Sequence, residues 1–147
     1  MSTQHITNGT FDGGVLAPWV PWEASGGPLT AQASGGVSGG CASFAWTTLT
    51  ERWSSARQNL IPVTAGSSTT YSYAVRTATP RPRVTTTIIN LFGGNTIIDF
   101  PVANNVYNFF SHTRVFSSGG PAPFFLLVGQ DPPNEGGQIF MDNISVF

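Results

Sequence analysis

Two arginines, Arg57 and Arg76, stand inside runs that otherwise hold small and apolar residues. Only 9% of the chain is charged, and all six of its basic residues are arginine. A scarce charge in mid-strand rarely serves core packing. Either it pairs with an acid, for which Glu23, Glu51 and Asp99 are the candidates, or it faces a ligand. A guanidinium is planar and offers five donors, which suits vicinal hydroxyls, a carboxylate or a ligand carbonyl. Trp53, Trp46, Trp22 and Asn90 could stand beside them, aromatic faces supplying apolar walls and a planar amide reading polar groups. These six are the candidate ligand-binding residues. At least two of the four tryptophans are expected to be ordinary core.

Catalytic chemistry has less support. Seven acids are present. Asp12, Asp131 and Glu135 sit in Gly/Pro-rich loops, and only Glu23 and Glu51 lie near aromatics. No Gly-x-Ser-x-Gly, His-Glu-x-x-His or phosphate loop occurs. His5 and His112 are far apart, and a lone His on a strand is more often structural. No catalytic residue is assigned, and enzyme activity is left open, with non-catalytic binding favoured.

The elements that must position these residues read as strands. Gln58 to Arg76 contains two apolar runs joined at Ala65-Gly66-Ser67-Ser68. The second alternates Thr69, Tyr71, Tyr73 and Val75 against Thr70, Ser72, Ala74 and Arg76. Period two predicts one packed face and one face of small polar residues with room for a ligand. Gly66 can supply the positive φ of the turn, and two antiparallel strands are expected, with Arg57 and Arg76 close together beside Trp53. His5-Ile6-Thr7 is a short strand, and Ala17 to Glu23 is extended, because its prolines forbid a helix. Leu29 to Ala33 is a weak strand; Cys41 to Trp46 and Glu51 to Leu60 alternate. Arg83 to Phe92 is β-branched, and Gly93-Gly94-Asn95 turns it into Thr96 to Phe100. Tyr107 to Phe116 carries Phe109, Ser111, Thr113 and Val115 on one face. Phe124 to Val128 is continuously apolar and reads as central. The last strand alternates through an irregularity at Asp142-Asn143. Thr47 to Arg57 is the one place for a short helix. The class is all-β, a sandwich of about ten strands.

The 147 residues favour one domain, 1–147, long enough to bury a core. A net charge of −1 favours neither nucleic acid nor an anionic membrane as partner. Glycine and proline, 17 and 11 residues, punctuate many short strands. No apolar stretch has the length of a membrane span. Ser2-Thr3-Gln4-His5 after Met1 lacks the pattern of a secretory signal, so the chain reads as cytoplasmic as it stands, or secreted if it is a mature fragment. One cysteine, Cys41, permits no intramolecular disulfide.

Three motifs stand in order: Ile6-Thr7-Asn8-Gly9-Thr10-Phe11-Asp12 with Pro18-Trp19; Ala56-Arg57-Gln58-Asn59-Leu60 through Tyr71-Ser72-Tyr73-Ala74-Val75-Arg76; and Ile139-Phe140-Met141-Asp142-Asn143-Ile144-Ser145-Val146. Over nearly the whole chain this resembles the jelly-roll carbohydrate-binding modules of the xylan- and glucan-binding type. The resemblance implies a jelly-roll β-sandwich of two antiparallel sheets, first and last strands adjacent, and carbohydrate binding on a concave, aromatic- and Arg-lined sheet face. It also implies a structural calcium, which carried over falls on Asp12 and Asp142; Asp12 stands where those modules usually have Glu, one carbon longer. Two carboxylates with backbone carbonyls suit that hard cation. No organic cofactor is implied. Two other readings share the fold: a binder of an apolar small molecule, extending to a cyclase or isomerase that works by shape and hydrogen bonding, and a structural or assembly module. Fold analogy supports all three alike.

Overall fold

The computed structural model describes residues 4–21, 28–46, 53–77, 85–91, 96–99, 102, 105–116, 119–130 and 137–147. Their side chains are described except at 46, 53, 59–63, 85–91, 96–98, 121–130 and 137. Nine strands run through them: β1 (Leu29–Gln32), β2 (Cys41–Trp46), β3 (Trp53–Val63), β4 (Ser68–Thr77), β5 (Thr85–Leu91), β6 (Thr96–Asp99), β7 (Asn108–Val115), β8 (Gly120–Gln130) and β9 (Gly137–Val146). They form two antiparallel sheets, ordered β1-β2-β9-β4-β7 and β3-β8-β5-β6. This is the jelly-roll sandwich that the sequence resemblance implies.

Alternation along β4 determines what the five-stranded sheet buries. Thr69, Tyr71, Tyr73, Val75 and Thr77 are buried, whereas Thr70, Ser72 and Arg76 are half-exposed. The tyrosines and Val75 pack with Phe44, Ile139, Met141, Ile144 and Val146 of the same sheet and with Ala56 of β3. The apolar run of β8 is central, held by β3 on one side and β5 on the other. The expected irregularity in β9 is a register shift opposite Ser72 and Ala74, with Asn143 at φ 51°.

Three expectations need correction. Residues 58–76 are not a hairpin: β3 pairs with β8 and β4 pairs with β7 and β9, so the Gly66 turn crosses between sheets. That turn is tied to the end of β7 by Gly66 N donating to Phe116 O at 2.9 Å, with Gly66 at φ 78°. The segment expected as helix up to Arg57 is strand from Trp53 on, and residues 47–52 lie outside the described residues. His5-Ile6-Thr7 runs beside β9 without becoming a regular strand. His5 N donates to Val146 O at 2.8 Å, but Val146 N donates instead to the Gln4 side chain, also at 2.8 Å, interrupting the ladder. The first segment and last strand are still neighbours.

Along β3 the edge is covered. Val20, between Pro18 and Pro21, exchanges both backbone hydrogen bonds with Arg57, at 2.8 and 3.2 Å. Flanking prolines lack N–H groups, so the added chain cannot itself extend the sheet further.

Candidate functional site

In β3, Ala56 belongs to the core and Ser54 and Gln58 are buried with it. Gln58 explains why a polar residue is tolerated there: its amide donates to Thr7 O and accepts from Thr7 N, pinning the N-terminal segment. Period two then places positions 53, 55 and 57 on the other, outer face of the four-stranded sheet, where Ser55 is nonetheless buried, 2% exposed, and Arg57 is half-buried. Register carries this across the sheet. Arg57 stands opposite Phe125 of β8, and Phe125 stands opposite Asn90 of β5. Positions 57 and 90 therefore share one row, two strand spacings or about 10 Å apart. Trp53, opposite Gly129, lies two rows along the same face.

Arg57 is half-buried, and its Nε is buried with no hydrogen-bond partner. Of the acids that could have paired with it, Asp99 is committed elsewhere, while Glu23 and Glu51 lie outside the described residues. Trp22 also lies outside them. Trp46 ends β2 in the other sheet, opposite Gly137.

Arg76 does not join this row. It projects from β4 on the outer face of the five-stranded sheet, so the single surface expected for Arg57 and Arg76 does not form: their strands belong to different sheets. The Arg76 fork donates to Asn105 Oδ1 at 2.7 Å and Gly35 O at 3.1 Å. Its guanidinium lies 4.3 Å from the Phe140 ring centroid and 5.4 Å from that of Tyr107. Tyr107 donates to the same Gly35 carbonyl at 2.7 Å. Together they fasten residues 33–40, a loop too rich in glycine to hold itself. Burial pushes the phenol of Tyr107 and the thiol of Cys41 beneath that loop above their ordinary ranges.

Asp12 and Asp142 both approach this loop: a Cβ on Gly39 would stand 4.0 Å from Asp12 Oδ1, and Asp142 binds the backbone of Val37 and Ser38. Asp142 is fully buried; its Oδ2 accepts from Val37 N at 2.8 Å and Ser38 N at 3.4 Å, and its Oδ1 from Asn143 N at 2.7 Å. Burial pushes its carboxyl above the usual range, those N–H groups draw it back, and the charge of Asp12 pushes it up again. Glycine lets oxygens crowd in. A Cβ on Gly36 would stand 2.0 Å from Gly40 O and 2.6 Å from Asp142 Oδ2; one on Gly40 would stand 1.9 Å from Phe11 O. Among the described residues no three His, Cys, Asp or Glu side chains gather. A cation here would need carbonyls beside the two carboxylates, oxygen donors of the kind a hard ion takes, and would meet Asp142 oxygens that already accept from backbone N–H groups.

One constellation escaped sequence reasoning. Asp99, at the end of β6, accepts from Tyr73 OH of β4, and His112 Nε2 of β7 stands 2.8 and 3.0 Å from its two oxygens. The three join the two sheets where edge strands β6 and β7 meet. The only signal in the sequence was the alternation that places His112 on the same face as Phe110.

No protein-family model matches the sequence, and no curated protein matches it. Solved structures do match it. The enzymatically active domain of tailspike protein 4 from bacteriophage CBA120 superposes with a TM-score of 0.74 at 13% identity, covering 97% of this chain. This chain spans 21% of that one, about a fifth. TmCBM61, in complex with beta-1,4-galactotriose, gives 0.66 at 13% identity and covers 99% of both chains. The CBM22-1 xylan-binding domain of Paenibacillus barcinonensis Xyn10C gives 0.63 at 15% identity, covering 98% of this chain and 91% of that one. The chain has the jelly-roll fold of carbohydrate-binding modules.

Proposed function

We propose that this chain binds glycans without catalysing their cleavage, through the outer face of the four-stranded sheet. The observation that carries the reading is the row formed by Arg57 and Asn90 across β8, with Trp53 on the same face and the Arg57 Nε unpartnered. A sugar offers what such a row can use. Its hydroxyls accept from a guanidinium and exchange with an amide, and its C–H face packs on an aromatic. Support from outside the chain is the glycan ligands named for two modules of the same fold.

The test is calorimetric titration with beta-1,4-galactotriose and xylohexaose, plus pull-down on galactan and xylan. Arg57→Ala should weaken binding by about 1.5–3 kcal/mol, roughly tenfold to a hundredfold, and Trp53→Ala should weaken it as well. Unchanged urea midpoints would show the variants folded. If the wild type binds no glycan but apolar metabolites quench its tryptophan fluorescence, the small-molecule reading replaces this one. If neither class binds, the assembly-module reading does.

Calcium is the second part of the proposal. Asp12 and Asp142, with carbonyls of the glycine loop, would hold it. It would neutralise two neighbouring carboxylates and tie the N-terminal turn to β9.

A further inference from the structure

The outer face of the five-stranded sheet, opposite the Arg57 row, carries a second arrangement of binding chemistry. Because Tyr71 and Tyr73 point into the core, Thr70, Ser72 and Ala74 point outward, and their register partners Thr113, Ser111 and Phe109 share that face. The hydroxyls pair across the strands: Thr70 Oγ1 to Thr113 Oγ1 at 2.8 Å and Ser72 Oγ to Ser111 Oγ at 2.9 Å. The hydroxyl side chains make a low floor, and Ala74 at its end is fully buried. Phe109 rises from one side of it, 68% exposed, and Asn143, held at φ 51° by the irregularity in β9, from the other. Between them lies a cavity of about 270 Å³ lined by Ser72, Tyr73, Phe109, Phe110, Ser111 and Asn143.

Packing does not explain Phe109. Its neighbour Phe110 fills the core side, 5.4 Å from the Tyr73 ring, whereas Phe109 leaves most of its ring in water. Nor is Asn143 consumed. Its backbone N–H binds Asp142, and its carboxamide has no hydrogen bond among the described residues. In a hydroxyl pair one O–H donates to its partner, which leaves the second O–H free to donate outward.

The lining selects a ligand class. It has no charged residue, which argues against ionic ligands. It has an amide and free hydroxyls, which a purely apolar ligand would leave unpaired at a cost. A volume just under the roughly 300–1,000 Å³ of drug-sized pockets suits one ring better than a long segment. We propose that this face is a second, independent glycan contact, where a single neutral sugar ring lies against Phe109 and its hydroxyls meet Asn143 and the Ser72–Ser111 pair.

Amide shifts of the ¹⁵N-labelled chain, titrated separately with galactotriose and xylohexaose, test this. Residues 72, 109, 111 and 143 should shift saturably with at least one sugar. Phe109→Ala should weaken that response about tenfold or more, since an aromatic contact and its buried area are lost. Asn143→Gly, which keeps the left-handed backbone at no steric cost, should weaken it too. Arg57→Ala should leave these shifts intact while removing those around β3, so failure of one site is distinguishable from failure of the other. The proposal is overturned if these amides do not respond to either sugar at the solubility limit, or if Arg57→Ala abolishes their response. It is equally overturned if they shift with protein concentration rather than sugar, which would make the face a contact between copies.

Discussion

Tyr71 and Tyr73 lie two residues apart on one strand, both at most 2% exposed and both within one core, yet deleting their hydroxyls should have opposite consequences. Tyr73 OH donates to the buried carboxyl of Asp99. A hydrogen bond to a charged group contributes about 1.5–3 kcal/mol, so Tyr73→Phe should cost that much. His112 keeps Asp99 partly satisfied, which holds the loss within this range. Tyr71 OH is buried with no hydrogen-bond partner, and desolvation raises its phenol above the ordinary range. An unmade bond of this kind costs the native state about 1–3 kcal/mol. Tyr71→Phe should therefore be neutral, or stabilise by about 1 kcal/mol after the small void is counted. Urea unfolding reads both as midpoint shifts at constant slope. In thermal melts, at about 2–4 °C per kcal/mol for this size, Tyr73→Phe should fall by about 3–12 °C while Tyr71→Phe holds or rises slightly. Equal destabilisation by the two variants would refute the reasoning, because it would mean that the hydroxyls, not their partners, matter.

Further outcomes are expected. Arg76→Ala should lower stability by about 1–3 kcal/mol through loss of its bonds to Gly35 and Asn105, with calorimetric glycan affinity at the Arg57 row unchanged. Gly36→Ala must push a backbone carbonyl now 2.0 Å from the new Cβ and should cost about 1–3 kcal/mol or more, whereas Gly66→Ala, with open space around it, should cost only the strain of φ 78°, about 1 kcal/mol. If calcium binds, chelator should lower the melting temperature of the wild type and leave Asp142→Ala unaffected. The pH dependence has a definite sign. Asp142 is raised in the folded state, so the native state binds this proton more tightly. Its contribution to stability is full below the unfolded carboxylate range near pH 3.9 and declines as pH rises through the folded value. Urea midpoints at a series of pH values should show that decline in chelator and lose it in saturating calcium.

What the sequence determined by itself is what repeats locally. Alternation needs only neighbouring residues, so the burial of Tyr71, Tyr73 and Val75, the small polar outer face of β4, the central place of β8 and the break at Asp142-Asn143 were all legible. Strand pairing is different. A period of two says which face a side chain takes, but not which edge its strand will join, and that choice depends on the edges other strands leave open. For this reason the tertiary structure alone separated Arg57 from Arg76, sending one to each sheet across a turn that looked like a hairpin. It alone brought Asp99 to Tyr73 and His112 from separate strands, and set Phe109 over the Ser72–Ser111 floor.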